Sequence, residues 1–362
     1  MKIRMILVVI GVLFFASAAT AKVHSGIEVK VNSIKQQAGN NEDIFVKVSY
    51  KNHSNQTVKL LRWYLPDTTG NLEEAIFKIT RDGEPVDYLG PHYKRPAPVE
   101  SDYVILKANQ KINYQVELSG IYDFSEEGLY QIEVNVQNLA LFEPSKPNKD
   151  KAVGKPNSLK SDATASIYVT KAAERKGKPC NPRKEDCGGG GGGGDISYTG
   201  ACSNSEQNTI VSAVAAAKDM ANDSVSYLNG SAGERYATWF GAYTSTRWNK
   251  VGNNFDAIKD ALDNKAKVFD CSCNQSYFAY VYPNQPYKIY LCRAFWNASM
   301  TGTDSKGGTI IHEMSHFNVV AGTDDIVYGQ TGAKNLAISD PNGATNNADS
   351  HEYFAENNPN LN

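Results

Sequence analysis

Short runs of alternating apolar and polar residues dominate the first half of the chain. Between residues 22 and about 170, such runs occur at 27–31, 45–48, 76–79, 112–116 and 130–136. A period of two predicts strands with one buried side and one solvent-facing side. About seven short strands, separated by turn residues such as Asp82-Gly83, predict an all-β, immunoglobulin-like sandwich. This half contains no cysteine, and its histidines are scattered at His24, His53 and His92. We therefore expect no catalytic group in it.

From Tyr198 onwards the hydrophobic pattern changes to a helical period. Apolar residues recur three and four positions apart between Ile210 and Ala221, and Ser205 is a candidate N-cap for this helix. Further helical patterns occur at 255–262, 308–319 and 349–356, with short strand patterns between 268 and 295. The second half is therefore expected to be an α+β domain.

A basic, glycine-rich segment at 171–197 separates the two patterns. Its unbroken glycine run at 188–194 has no side chains to bury and a high backbone entropy. Cys180 and Cys187 bracket a six-residue loop in the same segment. They can form a local disulfide or contribute to a metal site. No nearby histidine or second cysteine pair completes such a site, which favours the disulfide. We interpret 171–197 as a flexible linker.

The first 21 residues have the features of an export signal. Lys2 and Arg4 precede an apolar run at 6–15, and Ala19-Thr20-Ala21 is a small-x-small cleavage site. The alternative is an uncleaved membrane anchor, although the run is short for a bilayer span. The predicted organisation is a signal peptide at 1–21, a β-sandwich domain at 22–170, a linker at 171–197 and a second domain at 198–362.

Composition and charge narrow the class of protein. The chain has 362 residues, 41% of them hydrophobic, which suffices for two domain cores. Its 37 Lys+Arg against 39 Asp+Glu lack the basic excess of a general nucleic-acid binder. No second apolar run is long enough to span a membrane, so we expect a secreted, extracellular protein that binds neither nucleic acid nor membrane. All six cysteines lie at or after Cys180, and an even number in an exported chain predicts disulfides.

The strongest chemical motif is H-E-x-x-H at 312–316. On a helix, His312 and His316 lie one turn apart on the same face, so both imidazoles can bind one metal ion. Glu313 can then accept a proton from a water molecule whose pKa a zinc ion lowers toward ~7. The alternative is a surface helix that carries these residues by chance, since the bare motif is only moderately specific. Two histidines also leave a catalytic zinc ion one protein ligand short.

The residues that follow the motif include candidates for the missing ligand. The segment Gly322-Thr323-Asp324-Asp325-Ile326-Val327-Tyr328-Gly329 combines glycines that permit a tight turn with two carboxylates and a tyrosine. H-E-x-x-H followed by G-T-x-D-x-x-Y-G resembles the aspzincins, the family of deuterolysin and the peptidyl-Lys metalloendopeptidases. The resemblance covers 198–362 and implies a zincin-like domain. It makes Asp325 the third zinc ligand, assigns Tyr328 to oxyanion stabilisation, and leaves Asp324 as a solvated turn residue.

The resemblance also implies a disulfide framework and a substrate preference. The disulfides would be Cys202–Cys271 and Cys273–Cys292. The segment at 346–357 resembles the Lys-specific branch, in which an Asp and a Glu three residues later line the pocket for the residue after the scissile bond. These positions correspond to Asp349 and Glu352.

The proposed lysine pocket has a physical rationale and an alternative. On a helix, Asp349 and Glu352 would share a face and both could bind one ammonium group. An uncharged side chain would leave two buried carboxylates unpaired. The alternative is a helix N-terminal cap, because Asp followed three positions later by Glu also fits capping geometry. His351, between the two, is expected to pack or hydrogen-bond outside the ligand set.

Together these inferences predict a secreted zinc metalloendopeptidase that cleaves protein or peptide substrates on the amino side of lysine. One catalytic Zn²⁺ is expected, bound by His312, His316 and Asp325, with Glu313 as the base. The β-sandwich at 22–170 is expected to be a pro-domain that is removed by cleavage at linker lysines. The alternatives are a broader, deuterolysin-like specificity, or a surface binding protein with an inactive zincin-like module.

Overall fold

The computed structural model describes residues 26–39, 42–138, 140–142, 157–170 and 194–361. The predicted signal peptide, most of the predicted linker, Cys180 and Cys187 lie outside these residues. None of the helices within the described ranges is long and apolar enough to cross a bilayer.

The N-terminal half of the described chain consists of strands joined by turns and two single-turn 3-10 helices. The strands are β1 (Ile27–Ser33), β2 (Gln37–Ala38), β3 (Phe45–Asn52), β4 (Val58–Leu61), β5 (Phe77–Arg81), β6 (Glu84–Pro85), β7 (His92–Lys94), β8 (Tyr103–Leu106), β9 (Lys111–Glu117), β10 (Gly128–Asn138), β11 (Asn157–Lys160) and β12 (Ala165–Val169). The 3-10 helices are Arg62–Tyr64 and Glu100–Asp102. One sheet has the order β1-β3-β9, a second has the order β2-β12-β10-β5-β6 with β11 also on β10, and β4 pairs with β8. The predicted sheet-rich architecture is confirmed, whereas its immunoglobulin-like topology stays a prediction.

The alternating sequence pattern explains how these strands form. In β10, Tyr130, Ile132 and Val134 are buried, while the intervening Gln131 is exposed. The buried sides of the two larger sheets contribute to one hydrophobic core. The predicted hairpin turn lies between β5 and β6, where Asp82 and Gly83 both have positive φ angles of 49° and 94°. Such a turn favours glycine at its second position because glycine has no Cβ to clash.

The C-terminal half is α+β, as the change of period predicts. Its strands are β13 (Ile196–Thr199), β14 (Lys267–Asp270), β15 (Ala279–Val281) and β16 (Lys288–Leu291). Its helices are α1 (Asn204–Leu228), α2 (Glu234–Phe240), α3 (Ser245–Asn264), α4 (Arg293–Asn297), α5 (Lys306–His316), α6 (Gly329–Ser339), α7 (Pro341–Ala344) and α8 (Ala348–Glu356). The sheet has the order β13-β14-β16-β15-β7, so its last strand comes from the N-terminal half. Strands β13, β14 and β16 are parallel, and β15 is antiparallel to both β16 and β7.

The first helix begins earlier than the sequence pattern suggested. Ser203, rather than Ser205, is the N-cap of α1. The Ser203 hydroxyl accepts a hydrogen bond from the Glu206 N–H, and the Glu206 carboxylate accepts one from the Ser203 N–H. This reciprocal pair requires a carboxylate three residues after the cap, which Ser203 has and Ser205 lacks. The prediction of Ser205 as N-cap is therefore wrong by two residues.

Two disulfides brace the C-terminal half, and both are the pairs that the family resemblance implied. Cys202–Cys271 joins the residue before the α1 cap to the residue that follows β14. Cys273–Cys292 joins the loop after β14 to the end of β16. The predicted pairing is therefore confirmed for the four cysteines in the described ranges.

Candidate metal centre and substrate cleft

Helix α5 carries the H-E-x-x-H motif through the middle of the C-terminal half. It begins after Ser305, whose hydroxyl accepts a hydrogen bond from the Gly308 N–H, and it packs against α1 and α8. Because helices surround α5, all of its residues are buried. His312 and His316 lie one turn apart on it, with ring centroids 4.8 Å from each other. The alternative of a surface helix is therefore wrong.

The chain turns back after α5 and brings a carboxylate to the two histidines. Gly322 has a φ of 57° in this turn, and the Thr323 N–H donates a hydrogen bond to the Ser315 carbonyl. Asp325 Oδ1 consequently lies 3.1 Å from His312 Nε2 and 3.4 Å from His316 Nε2. The three residues predicted as metal ligands thus converge on one point.

The donor atoms of these three residues fit a tetrahedral zinc ion. Ligand atoms at about 2.0–2.1 Å from zinc lie roughly 3.3 Å apart at the corners of a tetrahedron, close to the separations found. His312 Nε2, His316 Nε2 and Asp325 Oδ1 are buried and have no hydrogen-bond partner. On the other side of the His316 ring, Nδ1–H donates to the Thr323 carbonyl at 2.8 Å, which leaves Nε2 free to bind a metal. Buried nitrogen and oxygen atoms with free lone pairs and no hydrogen-bond partner are expected where a metal ion binds.

A third imidazole comes from the N-terminal half. The ring of His92, in β7, lies 4.7 Å from that of His316. His92, His316 and Asp325 each offer a ligand atom, and these atoms lie within 4.8 Å of one another. Burial and the neighbouring His316 lower the pKa of His92 to about 3, so its imidazole is neutral and able to coordinate a metal.

Glu313 is buried beside the predicted ligands. Neither of its carboxylate oxygens accepts a well-aligned hydrogen bond. Burial raises the pKa of Glu313 to about 7, against the opposite influence of His312, His316 and the nearby Lys94 backbone amide. A carboxyl group with a pKa near neutrality can both accept and return a proton, as a general base and acid must.

Tyr328 lies near the metal centre, but its hydroxyl is engaged by the N-terminal half. It donates a 2.8 Å hydrogen bond to Glu74 Oε1, and its ring meets the Trp63 ring edge-on at 5.2 Å. The hydroxyl is therefore held by Glu74 in this conformation instead of being free to meet a substrate oxygen. Asp324 is exposed, and its carboxylate accepts a hydrogen bond from the Asn346 side chain.

Asp349 and Glu352 lie one turn apart on α8, and both are fully buried. The N-cap of α8 is Asn347, and Asp349 Oδ2 accepts a hydrogen bond from the Gly329 N–H of another element. The alternative of an N-terminal capping pair is therefore wrong. His351, on the opposite side of the helix turn, hydrogen-bonds to the Asn347 carbonyl and to Asn254, outside the ligand set.

A lysine ammonium lies between the two carboxylates. Lys94 Nζ is 2.9 Å from Glu352 Oε2, 3.4 Å from Asp349 Oδ1 and 2.9 Å from Asp304 Oδ1. The Phe278 and Tyr353 rings lie on its flanks, each with its centroid 5.3 Å from Nζ. Although burial alone would lower it, the pKa of Lys94 is held well above its usual value by Asp349 and Glu352. The pair on α8 therefore forms a fully desolvated site for one ammonium group.

Strand β7 carries this lysine into the cleft as an extra sheet strand. It pairs antiparallel with the edge strand β15, with Tyr93 opposite Tyr280 and Lys94 opposite Ala279. The Tyr93 N–H also donates to Asp325 Oδ2 at 3.1 Å. The cleft next to the metal centre is thus filled by an extended segment of the same chain.

The N-terminal half contributes three residues here that no sequence motif indicated: Glu74, His92 and Lys94. The expectation that this half holds no group at the catalytic centre is wrong. Only three residues of β7 are paired, and its buried side carries His and Lys, which do not stand out in a search for apolar alternation. Their partners lie far along the chain, 255 residues away for Lys94 and Asp349.

Comparison with known proteins agrees with this geometry. A sequence profile of the aspzincin M35 family, described as lysine-specific metallo-endopeptidase, matches residues 226–356. The chain is 43% identical over 360 residues to an extracellular protease of Aeromonas hydrophila, covering 98% of both chains. It is 34% identical over 360 residues to a peptidyl-Lys metalloendopeptidase of Grifola frondosa, covering 94% of this chain and 96% of the relative. Among solved structures, a zinc peptidase from Grifola frondosa covers 44% of this chain and 100% of its own, with 47% identity and a TM-score of 0.43.

The similarity to the two sequence relatives extends through both halves of the chain. Neither relative is matched by the C-terminal half alone, because each is covered almost end to end. The profile match contains the H-E-x-x-H helix, Asp325 and the α8 carboxylates. The chain therefore belongs to the aspzincin family of zinc metalloendopeptidases.

Proposed function

We propose that this protein is a secreted zinc endopeptidase that hydrolyses X–Lys bonds and is made as a latent precursor. The observation that carries the proposal is the Lys94 ammonium, bound by Asp349 and Glu352 beside the metal centre. The similarity to the peptidyl-Lys metalloendopeptidase of Grifola frondosa lends further support. The proposal joins the family's reaction to a substrate preference, an N-terminal pro-domain at 22–170 and secretion.

His312, His316 and Asp325 would hold the zinc ion. When bound, zinc supplies a Lewis acid that polarises the scissile carbonyl and makes water a better nucleophile near neutral pH. Glu313 accepts the proton of the attacking water, and then delivers it to the amine nitrogen as the peptide bond breaks. Its raised pKa suits both steps.

Tyr328 would donate its hydroxyl proton in a hydrogen bond to the oxygen of the former carbonyl. In the conformation described above, that hydroxyl donates to Glu74 instead. The role therefore requires the N-terminal half to leave, which takes the Glu74 carboxylate away from the Tyr328 hydroxyl. A donor aimed at the developing negative charge contributes in the transition state more than in the ground state.

The lysine pocket selects by charge in a desolvated space. A substrate ammonium replaces the charge of Lys94 between Asp349 and Glu352. A neutral side chain would leave two buried carboxylates without a cation, which costs several kcal/mol in a site closed to water. Specificity built on a required buried charge is therefore expected to be strong.

The N-terminal half occupies the lysine pocket and contacts both the metal centre and Tyr328. Lys94 fills the lysine pocket, His92 lies at the metal centre, and Glu74 holds the Tyr328 hydroxyl. Asn138 adds a 2.6 Å hydrogen bond to the Ile326 carbonyl, next to Asp325. We infer that the pro-domain inhibits by occupying the cleft as a bound peptide. Cleavage at linker lysines, among them Lys171, Lys176, Lys178 and Lys184, would begin its release.

The test is to secrete the full chain from a protease-deficient host and digest a peptide mixture derived from a proteome. We expect new amino termini to begin with lysine, and Glu313→Ala to abolish them while zinc stays bound. New termini without a residue preference would indicate the broader, deuterolysin-like alternative. Full activity of the Glu313→Ala variant would contradict the mechanism.

A further inference from the structure

The residue before Lys94 lies on an aromatic surface of the C-terminal half. The ring centroid of Tyr93 is 5.0 Å from that of Tyr277 and 5.5 Å from that of Tyr280. The planes of Tyr93 and Tyr277 are inclined by 62°, an edge-to-face arrangement, and those of Tyr93 and Tyr280 by 42°. Both partner rings belong to the protease half, so they remain when the N-terminal half leaves.

Strand geometry separates this surface from the lysine pocket. Side chains of an extended segment alternate between two sides. His92 and Lys94 of β7 are directed to the metal centre and the lysine pocket, whereas Tyr93 contacts the tyrosines. A substrate that places its lysine in the pocket and pairs with β15 would have the same register. Its residue before the lysine would then meet Tyr277 and Tyr280.

One ring of this surface, that of Tyr280, is held in place by contacts that do not involve β7. Tyr280 stacks on Tyr290 with ring centroids 4.5 Å apart and planes inclined by only 4°. Tyr282 meets both rings edge-on, and Lys288 Nζ lies 4.5 Å from the Tyr290 centroid. Tyr280 is therefore fixed by its neighbours on β15 and β16 before any peptide binds, which lowers the entropy cost of using it as a subsite.

We propose that Tyr277 and Tyr280 form a second specificity subsite that favours an aromatic residue immediately before the lysine. The proposal rests on the proposed function, because it takes β7 as a guide to the substrate path. Aromatic pairs contribute beyond their buried area, and one such contact corresponds to about threefold to tenfold in an equilibrium or rate ratio. We therefore expect Tyr-Lys and Phe-Lys bonds to be cleaved with a kcat/KM about threefold to tenfold above that of Ala-Lys bonds.

The experiment uses the active protease obtained from the full-length secreted chain and four peptides that differ only before the lysine. That position carries Tyr, Phe, Leu or Ala. The leucine peptide distinguishes a contact between rings from a contact with any large apolar side chain. We expect its kcat/KM to be lower than that of either aromatic peptide. The same series is measured for Tyr277→Leu and Tyr280→Leu. Each variant keeps an apolar side chain at the substituted position. We expect each to reduce the Tyr-to-Ala ratio, which is kcat/KM for the Tyr peptide divided by kcat/KM for the Ala peptide, toward one.

Tyr243→Leu is the matched control, because Tyr243 is an exposed tyrosine of the same half whose ring contacts Trp248 and none of the three tyrosines at the subsite. Its Tyr-to-Ala ratio should stay near that of the unchanged protein. Equal kcat/KM for all four peptides, with lysine still required, would overturn the subsite and leave the proposed function intact. Cleavage without a lysine requirement would contradict the proposed function instead. In that case, the Tyr-to-Ala ratio of kcat/KM would still decide whether the subsite exists.

Discussion

The two carboxylates of the lysine pocket also contact a predicted zinc ligand. Asp349 Oδ1 lies 3.0 Å and Glu352 Oε2 lies 3.2 Å from His312 Nδ1, on the side of the ring away from Asp325. A carboxylate at this nitrogen fixes the ring's tautomer and increases the basicity of the nitrogen that binds the metal. The same two side chains thus line the proposed lysine pocket and contact the metal centre.

Replacement of Asp349 should therefore weaken zinc binding as well as lysine preference. For Asp349→Asn we expect about a tenfold to hundredfold loss of zinc affinity, measured by competition with a chromophoric chelator. Asp256→Asn is the control, because Asp256 is an exposed aspartate of α3. Unchanged zinc affinity in Asp349→Asn would restrict this carboxylate to the substrate pocket.

Asp270 gives the C-terminal half a pH-dependent contribution to stability. Burial by itself would raise its pKa, but hydrogen bonds from Ser272 and Thr199 and the charge of Lys288 together bring the pKa to about 2. A folded-state pKa below the unfolded value stabilises the protein above the unfolded pKa of about 3.9. That contribution disappears as the pH falls toward 2.

For Asp270→Asn we accordingly expect a loss of about 2 kcal/mol in the free energy of unfolding at pH 7. The difference from the unchanged protein should shrink as the pH is lowered from about 4 to about 2. Denaturant unfolding across this pH range measures it, with Asp256→Asn, an exposed aspartate of α3, as the control. A difference that stays constant with pH would show that packing, not the charge of Asp270, is responsible.

Among the elements, those that bury one side against their own half were predictable from local pattern. Strands β1, β3 and β10 and helices α1, α3, α5 and α8 all follow the expected periods. Strand β7 was not predictable, because its partner strand β15 and the carboxylates that pair with Lys94 lie in the other half of the chain. That His312 and His316 lie together followed from motif spacing, and the place of Asp325 beside them followed from the family resemblance. The position of the Tyr328 hydroxyl depends on Glu74, a residue without any local signal.

Strand β7 should control the latency of the intact chain through Lys94. Lys94→Ala removes the ammonium and leaves Asp349 and Glu352 without their cation, so β7 loses its strongest anchor in the cleft. We expect the uncut chain to hydrolyse a fluorogenic X–Lys peptide at least about tenfold faster than the unchanged precursor, since loss of a buried ion pair exceeds the ~1.4 kcal/mol that a factor of ten requires.

Lys78→Ala is the control for this prediction, because Lys78 pairs with Glu133 on the exposed surface of the same half. It should leave latency unchanged. Gel electrophoresis before and after the assay verifies that the chain is still uncut. A Lys94→Ala precursor as inactive as the unchanged one would assign latency to contacts other than the lysine pocket.

At the scale of the whole molecule, the two halves are joined by noncovalent contacts that do not pass through the linker. Besides Lys94, the Tyr64 hydroxyl donates to the Asp325 carbonyl and Asn138 to the Ile326 carbonyl. Cutting the chain between 171 and 193 therefore leaves this interface in place. Release of the proposed pro-domain should require a second event, such as further proteolysis or dissociation.

We expect the two fragments to stay together after a single cut in the linker. The Glu313→Ala chain, cleaved in this segment by an added protease, should elute from a size-exclusion column as one species that contains both fragments. Adding Lys94→Ala should shift the mixture toward separate fragments. Immediate separation of the Glu313→Ala fragments would instead make the linker itself the main restraint.

Removal of β7 has a consequence for the targets of the mature enzyme. It leaves β15 as an open sheet edge, with unpaired backbone groups beside the metal centre. A target must supply an extended segment that pairs with that edge. In a helix, the backbone N–H and C=O groups around a lysine are already hydrogen-bonded within the helix, so they cannot pair with β15. Cleavage would therefore depend on the local structure of the target as well as on its sequence. The enzyme would cleave before lysines in loops, tails and unfolded chains, but not before lysines in intact helices.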